Sequence, residues 1–209
     1  MLDAIARTLR FDPHERSHLF TLAGAADTTV ADECEAVEPA VHLILEQLEP
    51  YPALAVNGRY DLLAYNRVWA SGFPGVDDIP VEDRNILWLM FTHPQWRKTI
   101  VDWDATAARM VAQYRAAMAE HVAEPAWKSL VARLHRSSPD FTAFWDRHDV
   151  QAVPSSVKRV RHPDVGLLNL HYTYLWLDQR LRTRIVSCTP ADHETRRRLE
   201  RLQRLLDES

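Results

Sequence analysis

Residues 166–177, GLLNLHYTYLWL, restrict the fold more than any other stretch of this chain. Leu168, Leu170, Tyr172, Tyr174 and Trp176 recur with period two, and Leu167, Asn169, His171, Thr173, Leu175 and Leu177 fill the alternate positions. Successive side chains of a β-strand point to opposite faces, whereas a helix would scatter the same residues around its axis. The stretch therefore reads as a long strand with one aromatic–aliphatic face and one mixed face. The mixed face is the one expected to line a pocket or to be lightly covered. Strands are also expected at 150–161 and 182–189, which makes the last third a meander.

A second β signal lies far upstream. In ALAVNGRYDLLAYN, two short apolar runs flank Asn57-Gly58, a pair suited to the positive φ of a tight hairpin. Between the two β regions the pattern is helical. Val37, Val41, Ile44, Leu45 and Leu48 share one side of a helix over 36–48, which Pro50 and Pro52 end. Asn66 opens a short helix through Phe73. From Pro80 to Ser137 the chain is helical in pieces, broken at Pro94. The helix over 102–121 carries Trp103, Ala107, Met110, Val111, Tyr114 and Met118 in one stripe. A helix at 125–136 follows, then a short one after Ser138-Pro139 with Phe141, Phe144 and Trp145, and a last one at 192–207. Two strands, a helical block and three strands imply an α+β fold: one antiparallel sheet of about five strands with helices on one face, in the order of a PAS-like domain.

Two short amphipathic helices precede this body. Leu2, Ile5, Ala6 and Leu9 mark one over 2–10; Asp12, Pro13 and Glu15 cap another over 13–23, closed by Gly24. The second contains His14-Glu15-Arg16-Ser17-His18, which fits the H-E-x-x-H zinc-peptidase signature. Glu15 already has a role at N3 of a capping box, and Thr21 and Gly24 stand where the extended motif needs a glycine and a third histidine. The motif is therefore read as an ordinary helix, and neither metal nor cofactor is expected. A polar spacer runs from 25 to 35. The domains are thus read as 1–24, a linker at 25–35, and 36–209.

Composition narrows the function. A chain of 209 residues, 46% hydrophobic and 26% charged, is globular. Its net charge of −4 argues against general affinity for nucleic acid. Cys34 and Cys188 offer neither a disulfide framework nor a paired-cysteine zinc site, which points to a reducing cytosol. The longest purely apolar run, 86–91, is too short to span a membrane, and no basic-then-apolar leader is present. The arginines of RRRLERLQRLL, on a leucine-striped helix, read as a solvated face.

Several long stretches, in order, resemble one family. LDAIARTLRFDPHERSHLFTLAG resembles the closing segment of a DNA-binding domain, and ALAVNGRYDLLAYNRVW the opening hairpin and helix of a sensor domain. EDRNILWLMFTHPQWRKTIVDWDATAARMVAQYR resembles the sensor's central block; SSPDFTAFWDRHDV and KRVRHPDVGLLNLHYTYL resemble its later helix and strands. The family comprises xenobiotic-response-element type helix-turn-helix transcription regulators with a C-terminal MmyB-like ligand-binding domain. The resemblance implies a PAS-like domain that binds a small hydrophobic effector, with a fatty acid first among candidates. It also implies a cytoplasmic homodimer that meets DNA only through a DNA-binding domain mostly absent from this chain, and no enzymatic activity. The other readings of the sequence are a small zinc hydrolase built on the HERSH motif and a ligand-free dimerisation scaffold.

The residues nominated for effector binding are of three kinds. Arg84 and Asn85 stand at a helix start, where a guanidinium and free amides suit a carboxylate, and Asn66 stands at a strand-to-helix corner that also suits an N-cap. Trp69, Trp88, Phe91, Met110, Tyr114, Phe144 and Trp145 supply large adaptable apolar surface, each with plain core packing as the alternative. His171 stands on the mixed face of the long strand.

Overall fold

A computed structural model describes residues 2–9, 11, 13–23, 37–121, 124–147, 157–177 and 183–208. The chain divides into two compact units, 1–36 and 37–209. In the first, α1 (Leu2–Thr8) and α2 (Pro13–Leu22) form where the two stripes were read, with Ala6 and Phe20 buried. The side chains of His14 and His18, and the expected spacer at 25–35, lie outside the described residues.

The second unit is built on one antiparallel sheet. Its strands are β1 (Ala53–Asn57), β2 (Leu62–Tyr65), β3 (Val157–His162), β4 (Gly166–Trp176) and β5 (Thr183–Pro190), in spatial order β2-β1-β5-β4-β3. The two halves of the chain thus meet at β1 and β5, where Leu54 pairs with Val186 and Ala55 with Ile185. The helical block is the insertion between β2 and β3: α4 (Arg67–Ser71), α5 (Ile86–Thr92), α6 (Pro94–Thr99), α7 (Trp103–Met118), α8 (Pro125–Ser137) and α9 (Pro139–Asp146). Both outer strands are covered by more chain. Leu62 donates to Arg84 O and Ile86 to Tyr60 O beside β2, and Val101 donates to Arg159 O beside β3. Their free hydrogen-bonding groups are therefore partly used.

The inner face carries the main core. Leu54 and Val56 of β1, Val186 and Cys188 of β5, Leu168 and Leu170 of β4 and Val160 of β3 pack against Val68, Trp69 and Phe73 near α4, Trp96 of α6, and Leu199 and Leu202 of α10 (His193–Asp207). The helical block has a second core around Leu87, Met90, Trp103, Met110, Tyr114 and Phe141. Each such side chain removed from water stabilises the fold by roughly 1.5–3 kcal/mol before conformational entropy is counted.

Helices are not confined to one face. The helix α3 (Pro39–Gln47) lies on the opposite side, where Leu45 packs on Ala53, Ala55, Ala64 and Ile185. The reason is local: β1 places small alanines outward, and that shallow strip accepts a helix closely. The hairpin also differs from the two-residue turn expected. Asn57 stays in β1 and pairs with Thr183, and residues 58–61 make the connection. The Asn57 side chain holds it, accepting from the amides of Arg59 at 3.0 Å and Asp61 at 2.9 Å. The residue with left-handed backbone is Tyr60, at φ 68°, rather than Gly58.

Candidate functional site

The nominated residues fall into separate places. Asn66 is 2% exposed and uses its whole side chain. Its Oδ1 accepts from Ala53 N at 3.1 Å and Trp69 N at 3.0 Å, and its Nδ2 donates to Leu45 O and Tyr51 O. It pins α3, β1 and α4 together. Asn85 caps α5 through Trp88 N and donates to Arg59 O and Asp61 Oδ1. Arg84 donates to the carbonyls of Ile79 and Asp77, each at 2.8 Å, and so staples its own loop. Trp69 lies within the inner core, tilted against Phe73 and edge-on to Trp96. Phe91, Met110, Tyr114, Phe144 and Trp145 belong to the helical core, and Trp88 lies under the Arg133 guanidinium, 4.3 Å from its ring. His171 lies on the outer face, between Val157 and Thr189.

The structure assembles a different group. Along β4 the inner face opens progressively: Leu168 and Leu170 are 2% exposed, Tyr172 is half-buried, and Tyr174 and Trp176 are 47% and 43% exposed. Among the described residues the helices thus cover one end of this face and leave the other, at Tyr174 and Trp176, as a partly exposed recess. Strand register brings charge to it. Arg184 is paired across from Trp176 on β5, and Lys158, two residues along the inner face from Val160, comes from β3. The strained Tyr60 closes one side, its hydroxyl donating to Gln113 Oε1 of α7 at 2.9 Å. Left-handed backbone costs a non-glycine residue about 1–2 kcal/mol. Here it turns the Tyr60 ring over the Arg184 guanidinium.

Arg184 stands among three aromatic rings, with its guanidinium carbon 5.1 Å from Tyr60, 5.6 Å from Tyr174 and 5.1 Å from Trp176. Its Nε is buried without a hydrogen-bond partner among the described residues. The guanidinium is within hydrogen-bonding range of the Tyr60 hydroxyl, a neutral partner, and the Nε donor left over costs about 1–3 kcal/mol. The Lys158 ammonium lies 3.9 Å from the centre of the Tyr172 ring, with Cys188 buried alongside. Desolvation, then the charges of Arg109 and Arg184, push the Lys158 amine down to about 8. Desolvation raises the Tyr60, Tyr172 and Tyr174 phenols and pushes the Cys188 thiol up to about 12. All these groups are therefore neutral phenol or thiol near pH 7. No carboxylate among the described residues is ion-paired to Arg109, Lys158 or Arg184. Tyr60, Tyr172, Tyr174 and Trp176 thus stand around the basic side chains of Lys158 and Arg184, within range of the charge of Arg109.

Tyr172 and Cys188 also form one wall of a small cavity of about 20 Å³ beneath α4, shared with Trp69, Phe73, Leu168 and Leu202. That volume admits about one water molecule. His162, 3% exposed, borders it. Its Nδ1 accepts from Asp164 N at 3.1 Å, so the proton sits on Nε2, which donates to Ser71 Oγ at 3.0 Å while Ser71 donates to Val68 O. Burial lowers the His162 pKa, and the ring is neutral. No group of three His, Cys, Asp or Glu side chains able to hold a metal occurs among the described residues, and no described helix is long and apolar enough to cross a membrane.

Lys158, Arg184, Tyr60 and Arg109 are not among the residues that the sequence nominates. The alternation of Tyr172, Tyr174 and Trp176 is visible in the sequence, which gives no sign of the basic residues beside it. Only the register of β3 and β5 on β4 shows which cations join the aromatic face.

A five-stranded antiparallel sheet in this order, with an inserted helical block packed on one face, defines a PAS-like α+β domain. Residues 37–202 match the family described as MmyB-like transcription regulator ligand binding domain, and the chain belongs to that family. No curated protein matches the chain.

Proposed function

We propose that this chain senses a small hydrophobic effector for a transcription regulator, and that the recess between β4, β5 and α7 is where the effector's polar end binds. The family supports an effector-sensing role. The observation that carries the location is the buried, unpartnered Nε of Arg184 among three aromatic rings. An acidic group would complete it, and a charge-assisted hydrogen bond contributes about 1.5–3 kcal/mol. A fatty acid has the required chemistry. Its chain would lie along Tyr172 toward the core. The cavity of about 20 Å³ is far too small for that chain. Binding would therefore draw α4 and the helical block away from the inner face and favour a second packing of the domain. In the intact regulator, a homodimeric cytoplasmic protein in this reading, residues 1–24 would end the DNA-binding domain, and the shift would alter how paired domains meet DNA. No step of catalysis is part of the role.

The test is native mass spectrometry and thermal melting with myristate. Myristate is expected to bind at one per chain and raise Tm, and Arg184→Met is expected to weaken binding about tenfold or more. An unchanged melting curve at saturating myristate would refute the fatty-acid reading. Equal binding by Arg184→Met would place the acidic group elsewhere.

A further inference from the structure

We propose that Lys158 captures the carbonyl group of an aldehyde or ketone as a reversible imine, so that the domain responds to hydrophobic carbonyl compounds. The proposal rests on the recess being the effector site and names a chemistry for it. Its basis is the setting of one amine. Lys158 projects from β3 onto the inner face, half-buried, with its Nζ 3.9 Å from the centre of the Tyr172 ring. It makes no ion pair or hydrogen bond with another described residue. The Tyr172 ring of β4 lies against it, and the positive charges that act on it are those of Arg109 of α7 and Arg184 of β5, with the Cys188 thiol of β5 also in range. A lysine that is desolvated and placed beside other cations gives up its proton more readily, so that a minor but larger share of it is the neutral nucleophile near pH 7.5. The fall of its pKa to about 8 agrees with that geometry.

The choice of residue type sharpens the point. Lysine occurs three times in this chain, at 98, 128 and 158, and every other basic side chain apart from histidine is arginine. Lys98 and Lys128 are exposed. Arginine serves equally as an inward cation but is never a nucleophile near neutral pH, because its guanidinium does not lose its proton. Arg109 and Arg184 supply positive charge in the recess; Lys158 adds a group able to form a bond. Cys188 does not compete, since its thiol stays protonated in this setting.

The chemistry balances without an oxidant or reductant. The neutral Nζ lone pair adds to the carbonyl carbon, and the amine proton passes to the carbonyl oxygen to give a carbinolamine. The hydroxyl then leaves as water, with a proton from solvent entering the open side, and the nitrogen loses its last hydrogen to solvent. The sum is amine plus aldehyde giving imine plus water. Hydrolysis reverses it, as a sensor requires. The same cations that depress the lysine also disfavour a charged iminium, so the resting adduct is mostly the neutral imine, in equilibrium with the minor iminium that cyanoborohydride reduces.

The full chain is treated with decanal, and separately with propanal, in sodium cyanoborohydride at pH 7.5, and the reduced adducts are mapped by peptide mass spectrometry. The expected result is alkylation at Lys158 at least about tenfold faster than at Lys98 or Lys128. The Lys158 rate should rise with pH and level off near 8. Lys158→Arg should fold, melt cooperatively and lose the fast adduct. Labelling at Lys158 no faster than at the two exposed lysines, with propanal as well as decanal, overturns the proposal. Stabilisation by myristate without such labelling would remove covalent capture and leave the recess as a non-covalent site. Selective labelling without any effect of myristate would keep the capture site and reject the fatty acid.

Discussion

Replacing Lys158 by Met should make the protein more stable, although it removes a favourable cation–π contact. Desolvation, with the charges of Arg109 and Arg184, brings the folded-state pKa of Lys158 to about 8, against the usual 10.5 of a lysine in the unfolded chain. The unfolded chain therefore holds this proton more tightly than the folded one. Below pH 8 the ammonium is charged in both states, and folding bears the full cost of desolvating it. Between pH 8 and 10.5 the folded protein gives up the proton first, and the cost fades. A fall of this size corresponds to about 3 kcal/mol at pH 7. Residual solvent contact of the half-buried side chain trims it. Loss of the contact with the Tyr172 ring offsets about 0.5–1 kcal/mol more, partly restored by a sulfur–aromatic contact. The net expectation for Lys158→Met is about 1–2 kcal/mol of added stability at pH 7, or roughly 3–6 °C in Tm for a domain of this size. Urea unfolding followed by tryptophan fluorescence at pH 7 and at pH 10 measures it. A variant that is less stable at pH 7, or whose advantage is as large at pH 10, would refute the reasoning. Stability gained by deleting a buried cation is what a binding residue gives when its position serves a ligand rather than the fold.

Three further expectations follow from the same geometry. Asn66→Ala leaves Leu45 O, Tyr51 O and Ala53 N without their side-chain partner and uncaps α4, and should cost about 2–4 kcal/mol in urea unfolding. His162 has its pKa lowered by burial, so the unfolded chain takes up this proton first; stability should fall as pH drops below about 6.5, and His162→Asn should flatten that slope in melts between pH 5 and 7. Gly166 sits at φ 81° between β3 and β4, so Gly166→Ala should lower Tm by a few degrees through backbone strain of about 1 kcal/mol, measured by calorimetry.

Much of the architecture follows from local pattern. Period-two alternation in 166–177 defines β4, and apolar stripes at helical spacing define α7, α8 and α10, because burying one face of an element is a nearest-neighbour matter. Asn66 at a strand-to-helix corner reads as a cap, and the structure uses it as one. The order of strands and helices is enough for the α+β class. Tertiary structure alone decided the rest. The outward alanines of β1 let α3 cover the second face of the sheet, which no periodicity in α3 reveals. Tyr60, rather than Gly58, took the left-handed turn because Asn57 stayed in its strand and its side chain bound the loop amides. Lys158, Tyr172 and Arg184 share one recess only because β3 and β5 flank β4 in a particular register, and a slip of one residue would send each to the opposite face. Sequence dictates which face of an element is apolar. Which distant residues meet on that face depends on pairing and packing across more than a hundred positions, and there the recess acquires its charge.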